Sequence, residues 1–64
     1  MDNEIIELLE TIEEQLSNAA EDSVKFVQGN NSAGTRVRKA MQNIKSLAQQ
    51  VRLEVQAQKN GVPV

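Results

Sequence analysis

Apolar residues recur along the first half of this chain at spacings that leave little choice of fold. Ile5, Leu9, Ile12, Leu16, Ala19, Ser23 and Phe26 follow one another at intervals of 4, 3, 4, 3, 4 and 3 residues. That is the seven-residue repeat that lays one α-helix along another. Ile6, Ala20 and Val27 widen the stripe on one side and Leu8 on the other, so the helix needs more than one neighbour. In the second half Val37, Ala40, Ile44, Leu47 and Val51 repeat at 3, 4, 3 and 4, with Met41, Ala48 and Val55 in a second row beside them. Between the two patterns, Gly29-Asn30-Asn31-Ser32 reads as a turn, because Gly and Asn tolerate a left-handed backbone better than other residues.

The pattern predicts an all-α chain. A single antiparallel two-helix hairpin spans residues 1–64, with a helix over about 3–28, a turn at 29–32, a second helix over about 33–59 and a short tail at 60–64. Asp2 or Asn3 is placed to cap the first helix, and nearby acids complement its positive end. Lys25 suits the last turn, and Gly29 suits the residue just past it. Ser32 is expected to cap the second helix. Gly34, at about its second position, costs about 1 kcal/mol against Ala in a helix interior, so it needs a packing or backbone-access reason. Asn60-Gly61 ends the second helix, and Pro63 cannot continue it.

Length turns this hairpin into a problem of support. A chain of 64 residues buries only about 60% of its unfolded surface, and one core is marginal at that size. There is no Cys and no His, which removes disulfides, thiolate metal sites and the commonest general base near neutral pH. Self-association remains. The second apolar rows would stay uncovered on a lone hairpin, and such patches mark interfaces. The expectation is a homodimer closing as a four-helix bundle, or a higher oligomer.

Several functions are disfavoured on the same grounds. Phe26 is the one aromatic residue, too few for a base-stacking platform. Apolar runs never exceed two residues, far short of the ~20 that span a bilayer. Residues 1 to 15 carry acids rather than a basic and then apolar leader, so a cytoplasmic protein is expected. Ser17, Ser23, Ser32 and Ser46 have no His to activate them. Glu10, Glu13 and Glu14 are spaced as solvated helix residues, without the His of a Glu-x-x-His metal motif. Gly29 to Gly34 lacks the Lys of a phosphate-binding loop and follows a helix rather than a strand. The chain reads as no enzyme, with no metal and no cofactor.

Charge is the informative property. Residues 1–32 hold eight acids and one base, Lys25, whereas residues 33–64 hold six bases and one acid, Glu54. Such asymmetry between halves points toward nucleic acid; it also suits an acidic helix lying beside a basic one. Arg38, Lys45, Arg52 and Lys59 stand seven apart and form one stripe on the second helix. Arg36, Arg38 and Lys39 cluster in its first turns, with Lys25 expected near them across the turn. Free N–H groups at a helix start attract anions, so the turn end is a candidate phosphate-contact tip. Such contacts give affinity without sequence information. The alternative is that these bases balance Glu7, Glu14 and Glu21 on a neighbouring helix, since that acid row shares the same repeat.

The segment Gly29-Asn-Asn-Ser-Ala-Gly-Thr-Arg-Val-Arg-Lys39 resembles the hallmark of the bacterial linker-histone-like family, the short chlamydial-type histone-like proteins. They share a Gly-Asn turn, small residues, and Arg-x-Arg-Lys opening a second helix. Ile44, Leu47 and Arg52 also fall where that family places apolar and basic residues, and the likeness covers about residues 5 to 58. The resemblance implies a DNA-binding, nucleoid-compacting protein, with Arg36, Arg38 and Lys39 as the residues carried over and Arg52 second. Many members are basic or carry a lysine-rich tail, whereas this sequence has a pI of about 4.9 and so fewer counterions to release on a polyanion.

Two functions follow from these expectations. One is a histone-like, nucleoid-associated oligomer that binds DNA nonspecifically and contacts phosphate through Lys25, Arg36, Arg38, Lys39, Lys45 and Arg52. The other is a structural hairpin that docks on itself or on another protein through its apolar rows, without nucleic acid. They differ in whether the acids of the first helix pair with the bases of the second, and in whether Arg36, Arg38 and Lys39 gather on one face.

Overall fold

The computed structural model describes residues 3–61. They form two helices, α1 (Glu4–Val27) and α2 (Asn31–Lys59), packed side by side as an antiparallel hairpin. Asp2, one of the two candidate caps, and tail residues 62–64 lie outside the described residues. Asn3 caps α1: its Oδ1 accepts the Ile5 N–H at 2.8 Å, and Glu4 and Glu7 sit in the first turn, where the helix dipole favours acids.

The turn is built by glycine. Gly29 has φ +108°, a region that side chains rarely enter. Its N–H donates to the Phe26 carbonyl at 2.9 Å, and the Asn30 N–H donates to the Lys25 carbonyl at 3.0 Å. These two bonds close α1 as a Schellman motif. The start of α2 corrects the expectation at Ser32. The cap is Asn30, whose Oδ1 accepts the Ala33 N–H at 3.1 Å. Once Gly29 has reversed the chain, Asn30 is the first side-chain acceptor in reach, and Asn caps a helix as well as Ser does. Helix therefore begins two residues early, and the turn shrinks to residues 28–30.

That shift moves Gly34 from the second position of α2 to the fourth, and packing explains it. A β-carbon on Gly34 would lie 2.5 Å and 2.7 Å from Cδ1 and Cε1 of Phe26. The phenyl ring of α1 rests directly on the backbone of α2, and only glycine leaves room for it.

Elsewhere the helices meet through small and medium side chains. Leu8 and Ala19 of α1 and Ala33 and Ala40 of α2 are the buried apolar residues. Val37, Ile44, Leu47 and Val51 complete the α2 side, half-buried, on the row that the sequence pattern gives. On α1 the seam turns out rotated. Ile5, Ile12 and Ala19 face α2 as expected, but Leu8, Gln15 and Asp22 flank them. Leu9 and Leu16, expected in the seam, are 45% and 56% exposed. The wide apolar stripe offers two registers that share Ile5, Ile12 and Ala19. A single neighbour can use one, and the contacts of Asp22 with Arg36 and of Phe26 with Gly34 hold α1 in this one. The hairpin is 11 Å through its thinnest direction, about one helix diameter, so both of its flanks are open.

Candidate nucleic-acid interface

Two contacts identify the flanks. Asp22 and Arg36 meet on one of them, at 3.0 Å. On the other, Ser23 and Phe26 share a shallow cleft with Gly34, Val37 and Arg38. With about 100° of rotation per residue, Glu7, Glu14, Asn18 and Lys25 of α1 fall on the Asp22 side, with Lys39 and Asn43 of α2. This flank is mainly polar, although Leu53, fourteen residues on from Lys39, also falls on it and is 60% exposed. The opposite rotation brings Ile6, Leu9, Leu16 and Val27 of α1 to the cleft side, together with Met41, Ala48 and Val55 of α2. Those large side chains are 38% to 84% exposed, and this flank is apolar. Arg38, Lys45, Arg52 and Lys59 run along its α2 edge.

All six cations expected to meet phosphate are exposed, but they do not form one cluster. Arg36 and Arg38, two residues apart, project about 160° apart around the helix. Lys25, Arg36 and Lys39 belong to the polar flank at the turn end, while Arg38 heads the stripe that continues to Lys45 and Arg52. The stripe drifts by only about 20° per seven residues and advances by about 10.5 Å.

The acids of α1 engage one of these cations. Arg36 Nε donates to Asp22 Oδ1, with the Asp22 side chain 17% exposed and Arg36 50%. This is the one ion pair among the described residues, and the rest of the guanidinium fork stays available. Glu7, Glu14 and Glu21 make no ion pair with the α2 stripe in that set. Arg52 reaches Gln49 Oε1 at 3.5 Å, a long contact that leaves its charge at the surface.

Sequence reasoning passed over Glu54, the single acid of α2, which is 9% exposed. Gln58 Nε2 donates to its Oε1 at 3.2 Å. The signal was present: Glu54 follows Ala40 and Leu47 at steps of seven and so continues the seam. Carrying the register of Asp22–Arg36 and Phe26–Gly34 down the hairpin brings Glu54 level with the first turn of α1. The unpaired N–H groups and positive dipole end there favour a carboxylate.

Among the described residues no three acids are placed to hold a metal ion, and no helix is long and apolar enough to cross a membrane.

Comparison with known proteins matches the sequence to a family. The model for histone H1-like protein Hc1 matches residues 6–61. No curated protein and no solved structure matches the chain. The family has a DNA-binding, histone-like role in general, is associated with the nucleoid, and is structural rather than enzymatic. Since the match takes in nearly all of both helices and the whole turn between them, the chain belongs to the histone H1-like protein Hc1 family.

Proposed function

We propose that this chain binds DNA without sequence preference, through phosphate contacts made by the start and outer edge of α2, and that it does so as a pair of hairpins. The observation that carries the reading is the cation stripe. Arg38, Lys45, Arg52 and Lys59 are all exposed and none is paired with an acid among the described residues. From Arg38 to Lys59 the stripe runs about 31 Å, close to the ~34 Å of one duplex turn. A row of exposed cations on that scale suits contact with backbone phosphates and reads no bases. Lys25, Arg36 and Lys39 add positive charge at the turn end.

Pairing of hairpins rests on a separate observation. Ile6, Leu9, Leu16, Met41 and Val55 are each at least 38% exposed on one flank, and a second copy covers them as a four-helix bundle does. The same flank also favours the alternative function, a hairpin that docks on another protein.

A salt titration of binding to a random-sequence duplex tests the DNA reading. Each neutralised phosphate contributes about −0.9 to the log–log slope, so a dimer using its stripes and turn ends gives a slope of several units. Absence of binding even at low salt overturns the reading and turns the search toward a protein partner.

A further inference from the structure

The apolar flank does more than allow a second copy: we infer that it selects one way of docking, with both turns at the same end of the bundle. The inference rests on the self-association proposed above. Two copies meeting by their apolar flanks have two simple symmetric arrangements. If the two-fold axis runs parallel to the helices, α1 of each copy lies over α2 of the other and both turns share one end. If the axis runs across the helices, α1 lies over α1, α2 over α2, and the turns point to opposite ends.

Side-chain size separates them. Extending the register set by Asp22–Arg36 and Phe26–Gly34, Met41 comes level with about residue 18, Ala48 with about 11 and Val55 with about 4. Leu16 therefore stands at a height between Met41 and Ala48, and Leu9 at a height between Ala48 and Val55. A parallel axis preserves those heights. It drops each leucine into the gap between two side chains of the partner's α2, as knobs enter holes. An axis across the helices at the height that sets Leu9 against Leu16 on one seam brings the two Ala48 side chains near each other on the other seam. One seam is then overfilled and the other left with a void.

Charge selects the same arrangement independently. The α2 edge of this flank carries Arg38, Lys45, Arg52 and Lys59, and the α1 edge carries Glu13 with Glu10 beside it and no base. A parallel axis brings the partner's Glu13 and Glu10 to heights between Lys45 and Arg52. The crossed axis opposes the basic edge to its own copy, with Lys45 near Lys45 and Arg38 near Arg52. Like charges at that spacing repel.

Same-end docking completes a site that one chain lacks. It gathers Lys25, Arg36, Arg38 and Lys39 from both copies at one end of the bundle, while the partner's acids partly neutralise Lys45 and Arg52. Phosphate contact then concentrates at that end, on cations supplied by two chains.

Nitroxide labels settle the arrangement without DNA. The chain has no Cys, so Ser32→Cys in the first turn of α2 and Gln56→Cys near its other end each carry a single label at an exposed position. Same-end docking gives intermolecular distances below about 30 Å within each variant and of about 36 Å or more between differently labelled copies, since 24 residues of helix separate the two positions by about 36 Å. The reverse pattern overturns the arrangement and leaves self-association standing. Absence of any intermolecular distance, with a monomer by sedimentation, overturns both. Duplex binding is scored separately in the salt titration, so a failure there does not touch the docking result.

Discussion

The two flanks of the hairpin share a seam and a backbone and differ in what they leave on the surface. The polar flank mixes signs: Asp22 holds Arg36, and Glu7 and Glu14 lie on the same side as Lys25 and Lys39. The apolar flank segregates them, with leucines, Met41 and Val55 in the middle and an unbroken row of bases along one edge. A surface of mixed charge is content in water. A surface with an uncovered apolar centre and a one-sign border is the one on which the proposed function rests, the centre for pairing with another chain and the border for contact with a polyanion.

The largest effects should separate the seam from the flanks. Ile44→Asp or Leu47→Asp puts an unpaired charge between the helices and should cost about 3 kcal/mol or more, enough to abolish the helical circular dichroism of so small a chain. A soluble, equally helical variant would show that the seam lies elsewhere. Leu16→Asp, on the apolar flank, should leave each hairpin's own contacts in place and weaken self-association by about 100-fold or more, because two leucines per dimer lose their burial. Asn18→Asp, two residues away on the polar flank, should change sedimentation little. Equal behaviour of the two variants would erase the distinction between the flanks.

DNA binding should divide along the same line. Replacing Lys25, Arg38 and Lys39 with Ala should remove about two or more units of salt slope per dimer, whereas Lys45→Ala with Arg52→Ala should remove less, since the partner's Glu13 already competes for those two. A larger loss from the second pair would place the contact on the middle of the stripe and away from the shared end. Helicity should hold in both cases, because all five side chains are exposed.

How much of this could be read from the sequence depends on how many partners each signal has to choose between. The helices, the turn and the α2 seam were legible, because a 3–4 repeat bounded by Gly29 and Asn60-Gly61 has one interpretation. Which side of α1 faces α2 was not. Ile5, Ile12 and Ala19 belong equally to the row of Leu9 and Leu16 and to the row of Leu8, Gln15 and Asp22, and a tertiary contact decides. The cap was missed because Asn30, Asn31 and Ser32 are all competent, and hydrogen-bond geometry picks the first. For the candidate site, the residue types were legible and their grouping was not. Arg36, Arg38 and Lys39 look like one cluster in the sequence, yet helical rotation sends Arg38 to the other flank.

Gly34 gives a smaller and sharper test of how the two helices are held in rotation. Gly34→Ala gains about 1 kcal/mol of helix propensity but drives a β-carbon into the Phe26 ring, and overpacking of that kind costs about 1–3 kcal/mol. The net should be a modest loss of stability by thermal melt. Phe26→Leu added to it should restore part of the loss, because the flexible side chain can step aside. A stabilised single variant would mean that the ring moves freely and does not fix the register of the flanks.

The smallest expected effect is also the one that tests whether the polar flank takes part in binding at all. Asp22→Asn removes the partner of Arg36 and one negative charge from the turn end. The pair is partly exposed, so its loss should cost at most about 0.5–1 kcal/mol of stability. Duplex affinity at low salt should move the other way and rise a few-fold, because Arg36 is released and a repelling carboxylate is gone. Opposite signs in melting and binding would mean that the acidic helix restrains the basic one, and that Arg36 contacts phosphate once free. A fall in both would mean instead that Asp22 holds Arg36 in the pose DNA requires, making the ion pair part of the interface. No change in affinity beside a small loss of stability would confine DNA contact to Arg38 and its stripe and leave the polar flank as solvated surface.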